Sequence, residues 1–148
     1  MRRIFPVFAA LVAAAAGCDD PRLDDRTSTV ASVLARADEP LLRSRPGLVE
    51  GKLARMRGGP YEFFRGSVPL FKADWATGTA GVSRSRFHVA RPLVHGLGDP
   101  HPENFGTLRA SDGTLAIEPN DLDGADRLPY LWDVRRLAIG AAVAASLA

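Results

Sequence analysis

The chain has 148 residues, which suffices for one domain, and its 46% hydrophobic and 24% charged content excludes wholesale disorder. The net charge is only +2, and the arginines are scattered singly without interleaved aromatic residues, which argues against nucleic-acid binding. The single cysteine, Cys18, excludes an internal disulfide bond.

The first 18 residues have the pattern of an export signal. Arg2 and Arg3 precede an apolar stretch, Ile4–Ala16, that is too short to anchor the chain across a bilayer. Small residues then lead into Cys18, and this arrangement resembles a bacterial lipoprotein signal, in which Cys18 would become the lipidated N-terminus. We therefore predict a lipoprotein of the cell envelope that is anchored to the membrane through lipid. A secreted or periplasmic protein with a cleaved signal is one alternative, and a cytoplasmic protein with a misassigned start is another.

Helical and loop segments alternate through the first half of the chain. Charge and proline predict a tether over Asp19–Arg26, and two prolines predict a loop over Asp38–Gly47. Apolar periodicity predicts a short helix at Thr27–Ala37, which completes the tether region (19–47), and three further helices. These are Leu48–Met56, Pro69–Ala76 and Leu131–Leu147, the last with Trp132, Leu137, Ile139 and Val143 buried. Between the second and third helices, Arg65 closes an aromatic cluster; we expect it to form an ion pair, with phosphate or carboxylate binding as the alternative.

The second half predicts strands and two polar loops. A short strand at Arg91–Leu97 enters a turn-rich loop, and strands at Phe105–Leu108 and Thr114–Glu118 flank an Asp-Gly turn that is typical of a hairpin. Together with the helices, these strands predict an α+β fold in which helices surround a small hairpin.

The hairpin predicts an acidic cluster at its open end. Asn104 precedes the first arm and Asp121 follows the second, at equal distances from the turn, so we expect them side by side. The rigid loop before the hairpin would hold Asp99 beside them, with His101 and Asp123 at the edge. Oxygen ligands of this type suit Mg²⁺ together with phosphate oxygens, and Asn104, Asp121 and Asp123 are the predicted metal ligands.

The loop itself resembles the catalytic loop of protein kinases, in which an aspartate and an asparagine are separated by four residues. Gly98-Asp99-Pro100-His101-Pro102-Glu103-Asn104 is also similar to the loop of aminoglycoside phosphotransferases. By position, the resemblance implies that Asp99 orients or deprotonates an acceptor hydroxyl and that His101 braces the loop. It also implies that Asn104 and Asp121 hold Mg²⁺ on the phosphates of ATP, within part of a kinase-like C-terminal lobe.

Five ordered motifs resemble a more closely matching family, the uncharacterised bacterial domain of unknown function 2252. They are Arg55-Met56 with Pro60–Gly66, Gly98–His101, Asn104–Gly106, Asn120–Asp123 and Trp132–Ala138. The resemblance covers residues 48–148 and implies a phosphotransferase-like domain with an unknown small-molecule or protein acceptor. It also implies a glycine-rich segment and a lysine-bearing strand after the catalytic loop. Because the last helix is apolar all round, we expect a truncated copy that is inactive as a fragment.

Two other functions remain open at this point. A membrane-anchored protein with the same fold could bind a ligand or partner without turnover. A metal-dependent hydrolase could use His95, Asp99 and His101 as ligands of a transition metal, with Asp121 completing the site. For Asp133, at the start of the last helix, we expect a structural contact with loop backbone.

Overall fold

A computed structural model describes residues 21–87 and 92–148, which form five α-helices and two small antiparallel sheets. The predicted signal, Cys18 included, lies outside the described residues, so lipidation stays a prediction. The α+β class is confirmed. The helices are α1 (Pro21–Ser44), α2 (Pro46–Met56), α3 (Pro60–Gly66), α4 (Val68–Thr77) and α5 (Tyr130–Ala145), and the strands are β1 (Val94–Gly96), β2 (Phe105–Arg109), β3 (Leu115–Pro119) and β4 (Asp126–Leu128).

The first helix is longer than the sequence predicts. It begins at Pro21 and ends at Ser44, so the predicted tether is helical from Pro21 onward and the predicted loop is helical up to Ser44. Pro40 lies inside the helix, where proline normally removes a hydrogen bond and ends the segment. Here tertiary contacts outweigh that cost, because Leu41 and Leu42 pack on the core of α1 and α2. Asp38 adds an ion pair with Lys52 of α2 at 2.8 Å.

The core between α1 and α2 is formed by Leu34, Val49, Leu53 and Met56, all of them buried. The predicted helix at Leu48–Met56 is therefore confirmed. A second apolar region joins α4 to α5, where the Phe71 ring packs edge-on against Trp132 with 4.8 Å between centroids. Helix α3 connects the two regions, because Phe63 packs against the first core and Phe64 packs against Gly140 of α5.

The two sheets are both two-stranded. The hairpin β2–β3 is confirmed, with Phe105 opposite Pro119 and Arg109 opposite Leu115 around the Ala110–Gly113 turn. In this register Asn104 lies opposite Asn120, since the Asn120 N–H donates to the Asn104 carbonyl at 3.1 Å. The predicted partner, Asp121, is the next residue. The sequence pattern missed β4, which pairs with β1 and brings Leu128 opposite Val94.

The last helix buries a different stripe from the predicted one. Trp132 is buried as predicted, whereas Leu137, Ile139 and Val143 are only half-buried. Leu131, Arg136 and Gly140 are buried instead. The reason lies in α3, because the Phe64 ring packs directly over Gly140, where a Cβ would come within 2.7 Å of it. No helix within residues 21–87 and 92–148 is long and apolar enough to cross a membrane.

Candidate functional site

A cleft of about 320 Å³ lies between helices α2 and α3 on one side and the loops after β1 and β3 on the other. Its wall is unusually rich in charge. Helices supply most of the cations and loops supply most of the carboxylates. The ionisable residues that line it, apart from tyrosine, are Lys52, Arg55, Glu62, Arg65, Asp99, His101, Glu103 and Asp121.

Asp99 is held in this wall by a buried arginine. The Arg136 Nε atom donates to Asp99 Oδ1 at 2.8 Å, and Arg136 Nη2 donates to the Phe64 carbonyl at 2.8 Å. The Arg136 side chain is 1% exposed and its guanidinium lies 3.9 Å from the centroid of the Phe64 ring. Burial lowers the pKa of Arg136, while the charge of Asp99 acts in the opposite direction. Arg136 therefore ties the loop of Asp99 to α3 through a desolvated charge-assisted contact.

The same end of α5 also binds the backbone of the loop. Asp133 accepts hydrogen bonds from the N–H groups of Leu97, at 2.7 Å, and Gly98, at 3.1 Å. Trp132 Nε1 donates to the Gly98 carbonyl at 2.8 Å. The structural contact predicted for Asp133 is confirmed. Residues 132, 133 and 136 lie close together at the start of α5. This one segment therefore fixes the three consecutive loop residues 97–99.

Gly98 brings this loop against the second acidic loop. Its φ is +80°, and a Cβ there would lie 1.9 Å from the carbonyl oxygen of Gly124. Any side chain at position 98 would therefore push the two loops apart. The glycine of the Gly-Asp pair is required by this close approach as well as by its backbone conformation.

Asn104 links the two acidic loops through hydrogen bonds. Its Nδ2 group donates to the carbonyls of Asp99, at 3.3 Å, and Asp121, at 3.1 Å. The residue is 3% exposed, and its Oδ1 atom has no hydrogen-bond partner among the described residues. An unsatisfied buried carbonyl oxygen of this kind is costly.

The predicted ligands Asp121 and Asp123 are placed differently. Both are exposed, but Asp121 lines the cleft and Asp123 does not. Asp121 Oδ1 accepts the N–H of Asp123 at 3.1 Å, which closes a tight turn at the end of β3. The structure thus brings Asp99, His101 and Asp121 to one cleft with Asn104 behind them, and it leaves Asp123 at the side.

His101 is buried beside Asp99. Burial lowers the pKa of its imidazole from 6.5, and the charge of Arg65 lowers that pKa further. Its Nδ1 atom has no hydrogen-bond partner within the described part of the chain. The lowered pKa favours the neutral imidazole at pH 7, and the bracing role of His101 stays a prediction.

The predicted ion pair of Arg65 is confirmed, and its partner is Glu103 in the loop between β1 and β2. Lys52 is engaged with Asp38, behind the cleft. Arg55 lies in the last turn of α2 and is exposed, without an ion pair to any described residue.

The ligand set of the hydrolase alternative does not assemble. His95 is exposed on β1 and does not line the cleft, in contrast to His101. Within residues 21–87 and 92–148, no three His, Cys, Asp or Glu side chains form a group that could hold a metal ion by themselves. A metal bound here needs Asn104 or oxygen atoms of a ligand.

Arg136 is the site residue that sequence reasoning missed. It belongs to the motif Trp132–Ala138, but an arginine in an apolar helix pattern indicates only a break in the apolar stripe. The available signal was its spacing, since Trp132, Asp133 and Arg136 recur on one helical face directly after the acidic loops.

The chain also matches a known family. A model of the family described as "Uncharacterized protein conserved in bacteria (DUF2252)" matches residues 43–148, which is more than half of the chain. The match begins five residues before the boundary predicted from the motifs. No curated protein and no solved structure matches the chain significantly. Because the family match runs through all five motifs, the chain belongs to this uncharacterised bacterial family.

Proposed function

We propose that the cleft binds a nucleoside triphosphate with Mg²⁺ and transfers the terminal phosphoryl group to a hydroxyl group of an acceptor. One observation carries the proposal: Asp99 and Asp121 line the same cleft, and Asn104 hydrogen-bonds the backbone of both. The kinase-like loop spacing predicts that these three residues lie close together, and that prediction supports the proposal. The acceptor is a small molecule or a protein that carries the hydroxyl group.

The donor set suits a magnesium ion that is bound mainly through phosphates. Asp121 offers an exposed carboxylate, Asn104 has an unpartnered but buried Oδ1 atom, and Asp99 is already engaged by Arg136. Mg²⁺ commonly takes one or two protein oxygens and completes its shell with phosphate oxygens and water. When bound, it would neutralise charge on the phosphates.

Asp99 is the residue that handles the proton in this proposal. Both contacts that Arg136 makes with Asp99 are to Oδ1, so Oδ2 is left to accept the proton of the acceptor hydroxyl. The hydroxyl oxygen then bonds to the terminal phosphorus, and the bond from that phosphorus to the bridging oxygen breaks. The nucleoside diphosphate leaves with the electron pair, and the proton stays on Asp99 until solvent removes it.

A non-catalytic binding protein is the second candidate. It is favoured by the Arg136–Asp99 contact, because a carboxylate that neutralises a buried arginine can be kept for structure alone. In that case the cleft would bind ligand in the same way, but Asp99 would contribute nothing to turnover.

Calorimetry with MgATP tests binding. We expect measurable affinity that is lost when Mg²⁺ is removed and that falls at least about tenfold in Asp121→Asn, because a charge-assisted contact is removed. Asp126→Asn is the matched control, since Asp126 is an exposed aspartate on β4 outside the cleft. Asp123→Asn should have a smaller effect than Asp121→Asn. Absence of MgATP binding, or equal losses in Asp121→Asn and Asp126→Asn, would rule out the proposal.

Phosphate release with water as acceptor separates the two candidates. A phosphotransferase should release phosphate slowly, and Asp99→Asn should abolish release while leaving MgATP binding within about threefold. Binding without release, in the parent protein as in Asp99→Asn, would favour the non-catalytic candidate.

A further inference from the structure

The cleft carries a second set of groups that the proposed phosphoryl transfer does not use. These are the guanidinium groups of Arg55 and Arg65, on the helical wall opposite Asp121. We propose that they bind an anionic group of the acceptor, so that the acceptor is a hydroxyl compound bearing a phosphate or carboxylate. This inference rests on the proposed function, because it assigns Asp99 and Asp121 to the reacting end of the same cleft.

Arg55 is the cleft-lining cation whose side chain has no partner among the described residues. It lies in the last turn of α2, exposed at the cleft, and makes no side-chain hydrogen bond or ion pair with a described residue. Lys52, one turn earlier, is committed to Asp38 with contacts of 2.8 and 2.9 Å. A cation that lines a concave surface without a partner is a natural contact for a ligand anion.

Arg65 is held only loosely. Its partner is Glu103, and the two side chains are 47% and 57% exposed. Ion pairs this exposed contribute little to stability, so a ligand anion can replace Glu103 at small cost. Arginine also binds phosphate and carboxylate through two parallel N–H groups, which fixes the orientation of the ligand.

The position of Arg65 links the anion to the reacting end. Arg65 pairs with Glu103, which belongs to the same loop as Asp99, and all three residues line one cleft of about 320 Å³. An acceptor whose anion contacts Arg65 is therefore held in the cleft that also contains the Asp99 carboxylate. A compact hydroxyl compound spans that cleft, with the anion on the arginines and the hydroxyl toward Asp99.

Two probes isolate the contribution of the anion. Glycerol 3-phosphate carries a hydroxyl and a phosphate, and glycerol is its neutral counterpart. Binding to the full chain is measured by calorimetry in the presence of EDTA, without nucleotide, so that no metal can mediate the contact. We expect glycerol 3-phosphate to bind at least about tenfold more tightly than glycerol, since only the phosphate makes charge-assisted hydrogen bonds.

Arginine variants then locate the contact. Arg55→Gln and Arg65→Gln should each weaken glycerol 3-phosphate binding about tenfold or more. Arg57→Gln should leave it unchanged, because Arg57 is equally exposed at the end of α2 but lies outside this cleft. Arg65→Gln combined with Glu103→Gln keeps the net charge of the protein and should bind as weakly as Arg65→Gln, because the direct contact is still missing.

Three results would overturn the inference. Equal affinity for glycerol would show that the anion is not recognised. An equal loss in Arg57→Gln would show a general effect of charge. If Arg55→Gln and Arg65→Gln weaken only MgATP, the arginines bind the phosphates of the nucleotide and not an acceptor. Failure of the proposed function gives a different result. In that case Asp121→Asn does not change the affinity for MgATP, while glycerol 3-phosphate still binds in the absence of metal.

Discussion

The two acidic loops of the cleft are held by different numbers and kinds of contact. Residues 97–99 are fixed by side chains of α5, which bind the backbone of Leu97 and Gly98 and the carboxylate of Asp99. Residues 121–123 are exposed and are held through backbone contacts, chiefly the hydrogen bond from Asn104 to the Asp121 carbonyl.

The proposed phosphoryl transfer would give the two loops different chemical tasks. A carboxylate that orients a reacting hydroxyl must be placed accurately, because small displacements reduce the rate steeply. A carboxylate that contacts a hydrated ion must stay accessible and can adjust when the ion binds. The buried contacts of Asp99 and the exposure of Asp121 fit these two demands. If so, substitutions in the α5 contacts should cost stability, whereas substitutions of Asp121 should cost binding alone.

The largest effect is expected from Arg136→Met. It leaves the carboxylate of Asp99 and the carbonyl of Phe64 without their buried donor, and loss of one partner of a buried pair costs about 3–5 kcal/mol. The free energy of unfolding in urea measures this. Arg135→Met is the matched control, because Arg135 is the neighbouring half-buried arginine and binds the carbonyls of Gly81 and Arg84. We expect that control to lose about 1–2 kcal/mol, and equal losses would show that Arg136 has no special role.

Gly98→Ala should have the next largest effect, because it forces the two loops apart. Both Gly98 and Gly113 have positive φ, at +80° and +86°, so alanine at either position costs about 1–2 kcal/mol of backbone strain. Only at position 98 does the new Cβ clash with backbone, and overpacking adds about 1–3 kcal/mol. Urea unfolding of the two variants should separate by that second amount. If Gly98→Ala is no less stable than Gly113→Ala, the loops are not in tight contact.

The hairpin and the approximate positions of Asp99, Asn104 and Asp121 could be predicted from local sequence. The Asp-Gly turn fixes the hairpin register to within one residue, and the spacing from the turn brings Asn104 to the second loop. These features depend on turn chemistry and strand alternation, which act over a few residues. The predicted structural contact of Asp133 also followed from position, at the start of a helix.

What could not be predicted depends on distant contacts. Helix α1 continues through Pro40 because Leu41 and Leu42 pack on α2, and no local pattern shows that. The burial of Arg136 depends on Phe64, which lies 72 residues earlier in the chain. Strand β4 also depends on a distant contact, because the hairpin β2–β3 separates it in sequence from its partner β1. A charged residue in an apolar helix is interpretable only when its buried partner is known.

The smallest expected effect is a change in pH dependence that comes from the buried first loop. The pKa of His101 is lowered below 6.5 in the folded protein, so the unfolded chain takes up a proton at higher pH than the folded one. Stability is therefore fully present above pH 6.5 and declines as the pH falls from 6.5 through the lowered folded pKa. His101→Gln should flatten this part of the profile, measured as the free energy of unfolding between about pH 7.5 and about pH 5. His95→Gln is the control, because His95 is exposed on β1, and it should keep the slope of the parent protein. If His101→Gln keeps the slope of unfolding free energy against pH, other groups cause the pH dependence. The environment of His101 would then not be the part of the cleft that acid destabilises.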